Sequence, residues 1–281
     1  MVIARIDGIT LDGTEATAQY TIGDDGLKGW FDGVPSRLDQ EERPNRNGLF
    51  DTQGYLSGRV VTIEGLILTS TPAQQEDARL ALSSVLADGS AGRLSVRTSA
   101  GEKFAMVRRV GEPAIVTQVW GRQCAYQLRF LAADPRRYED VPFFRVNALS
   151  GGTGPVAPLV WPLKWSTPGS ADRLTFANRG NAESSPTFRL WGGFDSALIT
   201  NTTTGARLGY GRQVSPGHYV EIDVKTRRAF YDGNRDSDVS RWVQFREWQD
   251  VPKGTSWTYQ FDVTNPDSGP YLEGRVYPAW L

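Results

Sequence analysis

The sequence predicts a mainly β protein built from two domains. Three observations carry that reading. Apolar residues recur at every second position in many short runs, which is the period of a strand rather than a helix. A single segment, from Thr71 to Gly89, combines helical spacing with start and stop signals. Between Tyr138 and Trp165 the chain loses periodicity and turns rich in Pro and Gly. At 281 residues each half is long enough to bury its own core. The boundaries that follow are 1–140 for the first domain, 141–165 for a linker and 166–281 for the second domain.

The first domain opens with strand-like runs at 2–6 and 16–22, split by the turn-prone Leu11-Asp-Gly-Thr. Residues 24–58 are polar and irregular, and loops this long in a compact domain are functional or ordered by a partner. Arg59 to Leu68 is β-branched and apolar on nearly both faces, the strongest strand of this half. The helix comes next. Thr71 serves as N-cap, Pro72 sits in the first turn and Gln74 is the capping-box partner. Ala78, Ala81, Leu82, Val85 and Leu86 share one face, and Asp88-Gly89 ends it. Strands at 93–98 and 103–110 flank the hairpin signal Ser99-Ala-Gly-Glu102, and Ala114 to Val119 is a further strand. In the closing strand Cys124, Tyr126, Leu128 and Phe130 alternate with Gln123, Ala125, Gln127 and Arg129. Tyr126, Leu128 and Phe130 should therefore face the core, with Gln127 and Arg129 on the opposite side. Asp134-Pro135 stops this strand, since Pro cannot donate to a ladder.

The second half is almost purely β. Leu174 and Phe176, Phe188 and Leu190, then Val220, Ile222 and Val224 alternate with polar neighbours, as do Trp257, Tyr259, Phe261 and Val263. Turn signals at Asn181, Asn201, Ser215-Pro-Gly217, Asp232-Gly-Asn, Pro252-Lys-Gly and Pro266-Asp-Ser-Gly separate these runs. Short alternating strands at that spacing predict a sandwich or jelly roll.

Charge and cysteine content narrow the function classes. Lys+Arg is 31 against Asp+Glu 32, so nothing draws the chain to nucleic acid or an anionic membrane. Cys124, the only cysteine, excludes a disulfide within the chain, and on an apolar strand face it reads as a packed thiol. The start of the chain lacks the pattern of a secretion signal, and the uncharged stretch 146–163 is broken by Gly and Pro, so no spanning helix is expected. The expectation is a soluble protein made in the cytoplasm.

Catalytic constellations are thin. His218 is the only histidine, and any Ser-His-Asp or Cys-His site would have to use it. It reads instead as a solvated surface residue, and ligands for zinc are lacking. Loop 232–238 places oxygen side chains at alternate positions, as calcium sites do. Ser237 stands where the calcium loop needs glycine, however, and Val243 where it needs a bidentate glutamate. A polar turn is the better reading, because Asp, Asn and Gly dominate turns. Glu221 and Asp223 share a strand face but, beside Tyr219, read as a solvated face rather than a glycosidase pair. A wall-degrading hydrolase would need a carboxylate pair that the sequence does not single out. Of nine tryptophans, seven lie in or beside the second half. They fill a core or an interface, or they stack on sugar rings. Trp191, Trp242 and Trp248 are the candidates for stacking. No catalytic, metal or cofactor-binding residue is assigned, and neither an enzyme nor a cofactor is expected.

Certain stretches follow one another in a telling order. In the first half they are Gly54-Tyr-Leu-Ser-Gly-Arg-Val-Val-Thr-Ile-Glu-Gly65, the helix and hairpin, and Phe130-Leu-Ala-Ala-Asp-Pro-Arg-Arg-Tyr138. In the second they are Asn178-Arg-Gly-Asn-Ala-Glu-Ser-Ser-Pro-Thr-Phe-Arg-Leu-Trp-Gly192 and Leu198-Ile-Thr-Asn-Thr-Thr-Thr-Gly205. Pro216-Gly-His-Tyr-Val-Glu-Ile-Asp223, Arg228-Ala-Phe-Tyr-Asp-Gly233 and Val251-Pro-Lys-Gly254 complete the series. This order resembles the distal tail proteins (Dit) of long-tailed, siphovirus-type phages, the adaptors between tail tube and tail tip. The resemblance implies a homohexameric ring in the virion's tail tip, bound to the tail tube protein and to tail-tip or baseplate proteins. It implies a sandwich or barrel-like first domain enclosing the lumen and a galectin-like second sandwich projecting outward. Loop 24–58 and the hairpin would then lie at subunit contacts, with Arg43, Arg46, Arg59 and Arg129 as candidate assembly residues. A ring of heterologous contacts needs two different complementary surfaces, which long Arg- and Asp-rich loops can supply. The rival reading is a carbohydrate-binding protein that adsorbs to host cell-wall glycans through its second domain.

Overall fold

The computed structural model describes residues 2–11, 13–14, 19–148 and 173–281. The chain forms two compact units, residues 1–140 together with Trp280 and Leu281, and residues 141–279.

The first unit contains β1 (Ile3–Ile6), β2 (Ile9–Leu11), β3 (Gly13–Thr14), β4 (Gln19–Lys28), β5 (Ser36–Arg37), β6 (Tyr55–Leu56) and β7 (Arg59–Leu68). The helix α1 (Pro72–Ser84) follows, then β8 (Gly92–Thr98), β9 (Gly101–Arg109), β10 (Ala114–Val119), β11 (Gln123–Ala132) and β12 (Arg137–Tyr138). Asp7 and Gly8 join β1 to β2 with φ of 48° and 80°, the doubly left-handed two-residue turn for which Asp-Gly is a preferred pair. This hairpin lies within the first stretch of the chain; of the expected turn Leu11-Asp-Gly-Thr, Asp12 lies outside the described residues. Strand order runs β2-β1-β8-β9-β11-β7-β4-β3, with β10 set against β11. Its two end strands are not paired with one another, so among the described residues the ladder does not close into a barrel. Strand β9 turns the corner. Most of it pairs with β8, while Arg108 and Arg109 pair with Leu131 and Phe130 of β11.

The centre of this unit is the antiparallel pair β7–β11, ten residues in continuous register from Arg59↔Ala132 to Leu68↔Gln123. Cys124, Tyr126, Leu128, Phe130 and Ala132 are buried, while Arg129 and Leu131 are exposed, as the alternation predicts. Val61, Ile63 and Ile67 of β7 join the same core. Strand β4 lies on the other edge of β7 and carries a bulge between Ile22 and Leu27. Asp24, Asp25 and Gly26 therefore belong to a strand, not to the irregular loop the sequence indicated. A Cβ on Gly26 would stand 2.2 Å from the Glu64 carbonyl oxygen, so only glycine fits this approach.

Helix α1 begins as its sequence dictates. The Thr71 Oγ1 accepts from Gln74 N–H, and the Gln74 Oε1 reaches back to accept from Ser70 N–H. Ala78, Leu82, Val85 and Leu86 enter the core. Gln75 is buried and pins the helix to the β10–β11 turn, accepting from Gly121 N–H and donating to the Val119 carbonyl. The helix stops at Ser84, one turn before Asp88-Gly89, because Leu86 takes a left-handed φ of 46° and its N–H binds Asp7 Oδ2 at 3.1 Å.

Arg59, at the start of β7, is 2% exposed. Its Nη1 donates to the carbonyls of Gly29, Trp30 and Asp32, and its Nε donates to that of Pro135. Burial, together with the nearby Arg137 cation, lowers its pKa from the ordinary arginine value. Its neighbour in this role, Arg137, also donates to the Trp30 carbonyl, at 2.7 Å. Trp30 is buried between these carbonyl contacts and the core.

The second unit is a sandwich of two five-stranded sheets. Its strands are β13 (Phe144–Asn147), β14 (Arg173–Asn178), β15 (Thr187–Trp191), β16 (Ser196–Asn201), β17 (Arg207–Tyr210), β18 (Tyr219–Asp223) and β19 (Arg228–Tyr231). After a short 3-10 turn come β20 (Val243–Gln244), β21 (Thr255–Thr264) and β22 (Tyr271–Arg275). One sheet is β13-β22-β15-β18-β19 and the other β14-β21-β16-β17-β20. Phe144–Asn147 lies inside the stretch expected to be linker, yet it pairs in full with β22. Of the rest of that stretch, residues 149–165 lie outside the described residues, as do Trp161 and Trp165. The facing rows Phe176, Tyr259 and Phe261 against Phe188, Leu190 and Ile222 form the core, with the Phe188 and Tyr259 rings edge-on at 5.0 Å. Gly274 lets the sheets close, since a Cβ there would meet Phe176 at 2.6 Å. Asn178, fully buried, donates to the carbonyls of Ala182 and Val251 and accepts from Gly180 and Ala279 N–H.

Two predictions follow from this packing. Leu128→Asp places an unpaired carboxylate in the first core and should cost upward of about 4 kcal/mol, enough to abolish folding by circular dichroism. Arg129→Glu, on the outer face of the same strand, should melt within about 0.5 kcal/mol of the parent. A folded Leu128→Asp protein would mean that the register of β11 is shifted by one. Separately, Arg59→Ala strands the carbonyls of Gly29, Asp32 and Pro135, that of Trp30 keeping Arg137, and should lower stability by about 2–4 kcal/mol in a denaturant titration. Arg59→Lys should recover less than half of this, because an ammonium cannot spread its donors as the planar guanidinium does.

Candidate functional site

The first unit presents two surfaces that its own core does not explain. One is an arm, residues 32–58, that leaves the body beside the carbonyls held by Arg59. Its base is the pair Ser36↔Leu56 and Arg37↔Tyr55, and farther out Glu42 bridges Leu49. Phe50 N–H donates to the Glu41 carbonyl at 2.9 Å, and Thr52 Oγ1 to that of Asp39. The arm is therefore an extended hairpin with a two-stranded base and no core of its own. Leu38, Leu49, Phe50, Tyr55 and Leu56 along it are each between 43% and 57% exposed. Of the candidate assembly residues, Arg43 and Arg46 are exposed on this arm, and Arg43 lies 5.6 Å from the centre of the Phe50 ring.

The other surface is the outer face of β10, β11 and β7. Cross-strand partners Val60 and Leu131 are exposed there, as is Val116 of β10. Arg129 stands exposed beside them, opposite Thr62. Hydrogen bonds from Lys28 (2.9 Å) and Gln127 (2.6 Å) hold the neighbouring Glu64 carboxyl below its ordinary pKa. Apolar side chains bordered by fixed charges are the composition of a protein contact. Arg59, by contrast, is withdrawn from the candidate assembly residues. Its guanidinium is buried and donates to four carbonyls inside its own unit through Nη1 and Nε, and its Nη2 is buried too.

In the second unit the three tryptophans separate. Trp191 sits on the outer face of the β15 sheet between Tyr219 and Tyr271, with ring centroids at 4.7 and 5.3 Å. Both faces of its indole are covered, and its Nε1 donates to Glu273 at 2.9 Å. Tyr271 in turn carries the Arg145 guanidinium at 3.5 Å. This row is a rigid rib across the sheet, and Trp191 has no open face for a sugar. Trp248 is half-buried against the sandwich core. Trp242 remains exposed, with the guanidinium groups of Arg212 and Arg241 at 5.4 and 5.2 Å from its ring.

The polar groups singled out for chemistry are also placed. Glu221 is 6% exposed, and so does not belong to a solvated face. It is held by Arg189 Nε at 3.0 Å and Arg235 Nη2 at 3.1 Å. Sequence reasoning missed this clamp because Arg235 comes from the loop beyond β19. His218 is half-exposed but bound, its Nδ1 2.7 Å from Asp232 Oδ2 and its ring stacked on Tyr231. Burial raises the Asp232 carboxyl, while the Tyr219 N–H and His218 lower it by more, leaving its pKa below the ordinary value. Loop 232–238 is a polar turn whose carboxylates serve separate partners. Asp232 faces His218, and Asp238 caps Ser240 N–H at 2.8 Å. Among the described residues no three His, Cys, Asp or Glu side chains converge to hold a metal, and no helix is long and apolar enough to cross a membrane.

No protein-family model matches this chain, and no curated protein matches it by sequence. Solved structures do match it in fold. It is similar to the SPP1 Dit protein, described as a paradigm of hub adsorption apparatus in phages that infect Gram-positive bacteria. That likeness has a TM-score of 0.64 and 11% identity and covers 100% of both chains. It is also similar to a chain of the phage P2 baseplate in its activated conformation with Ca, with a TM-score of 0.52, 10% identity and 98% of each chain covered. At such identities the likeness concerns the fold, and from end to end the chain has the mainly β fold of the SPP1 Dit protein.

Proposed function

We propose that this chain is a structural, non-enzymatic protein of a phage tail tip, a virion component that joins the tail tube to the tail-tip or baseplate proteins. In this reading residues 1–140 build a homohexameric ring and the second, galectin-like sandwich projects outward. The observation that carries it is the extent of the fold likeness: both units are matched in order across 100% of a phage hub protein. A shared sandwich alone would match one unit and carry no such weight. The arm 32–58 supports the ring. A lone chain leaves its apolar row in water, whereas a neighbouring copy would cover it. Arg43, Arg46 and Arg129 are the charged residues best placed to set the register of that contact. Two distinct surfaces, the arm and the outer face of β10, β11 and β7, are what a closed heterologous ring requires.

The test is mass and shape. Purified full-length chain should scatter light as six times 31.1 kDa and show sixfold rings with a central hole in particle images. Replacing residues 38–52 by a short Gly-Ser turn should leave the circular dichroism spectrum intact and reduce the mass to that of one copy. A full-length protein that stays monomeric at high micromolar concentration, with its β spectrum intact, would remove the ring from this reading.

A further inference from the structure

The second unit carries a cleft of about 480 Å³ that none of the features above uses. Tyr210, at the end of β17, and the following residues Arg212, Gln213 and Ser215 form one wall. Tyr231, at the end of β19, and Ser237 form the other. The volume is that of a small-ligand site, roughly 300–1,000 Å³.

Both walls are held in place before any ligand arrives. On the first, Gly211 N–H donates to the Trp242 carbonyl at 2.9 Å, and Val214 N–H to that of Phe194 at 3.1 Å. On the second, Tyr231 N–H donates to the Ser237 carbonyl at 3.0 Å, and the Tyr231 ring is backed by His218, itself bound to Asp232. Tyr210 is buried, and that burial is the main cause that raises its phenol above the ordinary pKa. Arg212 also lies against Trp242, the one tryptophan of the three stacking candidates that stays exposed.

The lining chemistry defines the ligand. Two serine hydroxyls, a carboxamide and the Tyr231 phenol suit a molecule dense in hydroxyl groups; Val239 adds one apolar contact, and Tyr210, only 1% exposed, backs the cleft without offering its phenol. Arg212 is the one charged side chain among the described residues lining the cleft, and no carboxylate lines it to offset that charge. A guanidinium so placed selects a planar or tetrahedral oxyanion. We propose that the cleft binds a sugar unit bearing an anionic group, carboxylate or phosphate. Arg212 takes the anion, Gln213, Ser215 and Ser237 take sugar hydroxyls, and the Tyr231 ring forms a side wall. The proposal stands apart from the ring reading, because the cleft lies entirely within the second unit of one copy.

Calorimetric titration of the full chain with four probes tests it: trigalacturonic acid, glucose 6-phosphate, neutral maltotriose and inorganic phosphate. At least one of the two anionic sugars should bind about tenfold more tightly than maltotriose, the scale of one charged hydrogen bond. Which of them binds tells carboxylate from phosphate. That affinity should fall as salt is raised, and Arg212→Gln should lose about tenfold with an unchanged melting temperature. Tyr231→Phe, which keeps the wall and removes a hydroxyl, should lose less. Anionic sugars that bind no better than maltotriose would overturn the proposal, as would an Arg212→Gln protein that binds like the parent. Inorganic phosphate binding as tightly as the better sugar would also overturn it, by reducing the cleft to an anion site.

Discussion

The ten-residue ladder between β7 and β11 is the constraint on which the first unit depends. Side chains on a strand alternate with a period of two, so one register decides every residue of both strands together. In the observed register Leu128 and Phe130 meet Ile63 and Val61 in the core, and Arg129 and Gln127 stay outside. A slip of one residue would put a guanidinium and a carboxamide where aromatic rings now pack, at a cost no other contact could offset. The neighbours then have little freedom. Strand β4 takes the far edge of β7, β10 and the end of β9 share the edge of β11, and Gln75 fastens α1 to the turn between β10 and β11.

Each unit also relies on one buried polar residue where strands give way to loops. Arg59 gathers carbonyls from Gly29 to Asp32 and from Pro135, and Asn178 does the same for the segments around Ala182, Val251 and Ala279. The chemistry differs because the orphaned groups differ. Around Arg59 they are all acceptors, which a five-donor cation can serve. Around Asn178 they are acceptors and donors together, which an amide serves with its two ends. Backbone groups that no ladder can reach are thus satisfied without adding strands.

The surfaces divide into finished and unfinished ones. The rib of Arg145, Tyr271, Trp191 and Tyr219 is finished, with each ring or cation resting on the next. The buried Glu221, held between Arg189 and Arg235, stiffens the same face. The arm 32–58 is unfinished, since it has hydrogen bonds along its length and nothing to cover its leucines and aromatic rings. The exposed apolar row of that arm is the feature on which the proposed assembly rests.

Local physics by itself settled a large share of this molecule from the sequence. The alternation of β11 and β21, the Thr71 cap and the Ser99-Ala100 hairpin depend on residues within a few positions of one another, and the structure contains them all. The Asp7-Gly8 turn rests on two adjacent residues and was equally legible. What only the tertiary structure decided is where distant segments meet. Arg59 looked like an assembly residue because its carbonyl partners lie about 30 and 76 positions away. Trp191 looked like a sugar platform until Tyr219 and Tyr271 closed on its two faces. Glu221 looked solvated until Arg189 and Arg235 reached it, and Phe144–Asn147 looked like linker until β22 supplied its partner. A side chain's own chemistry states what it can bind, but whether that partner is water, a ligand or another strand is settled only when the chain brings remote residues into contact.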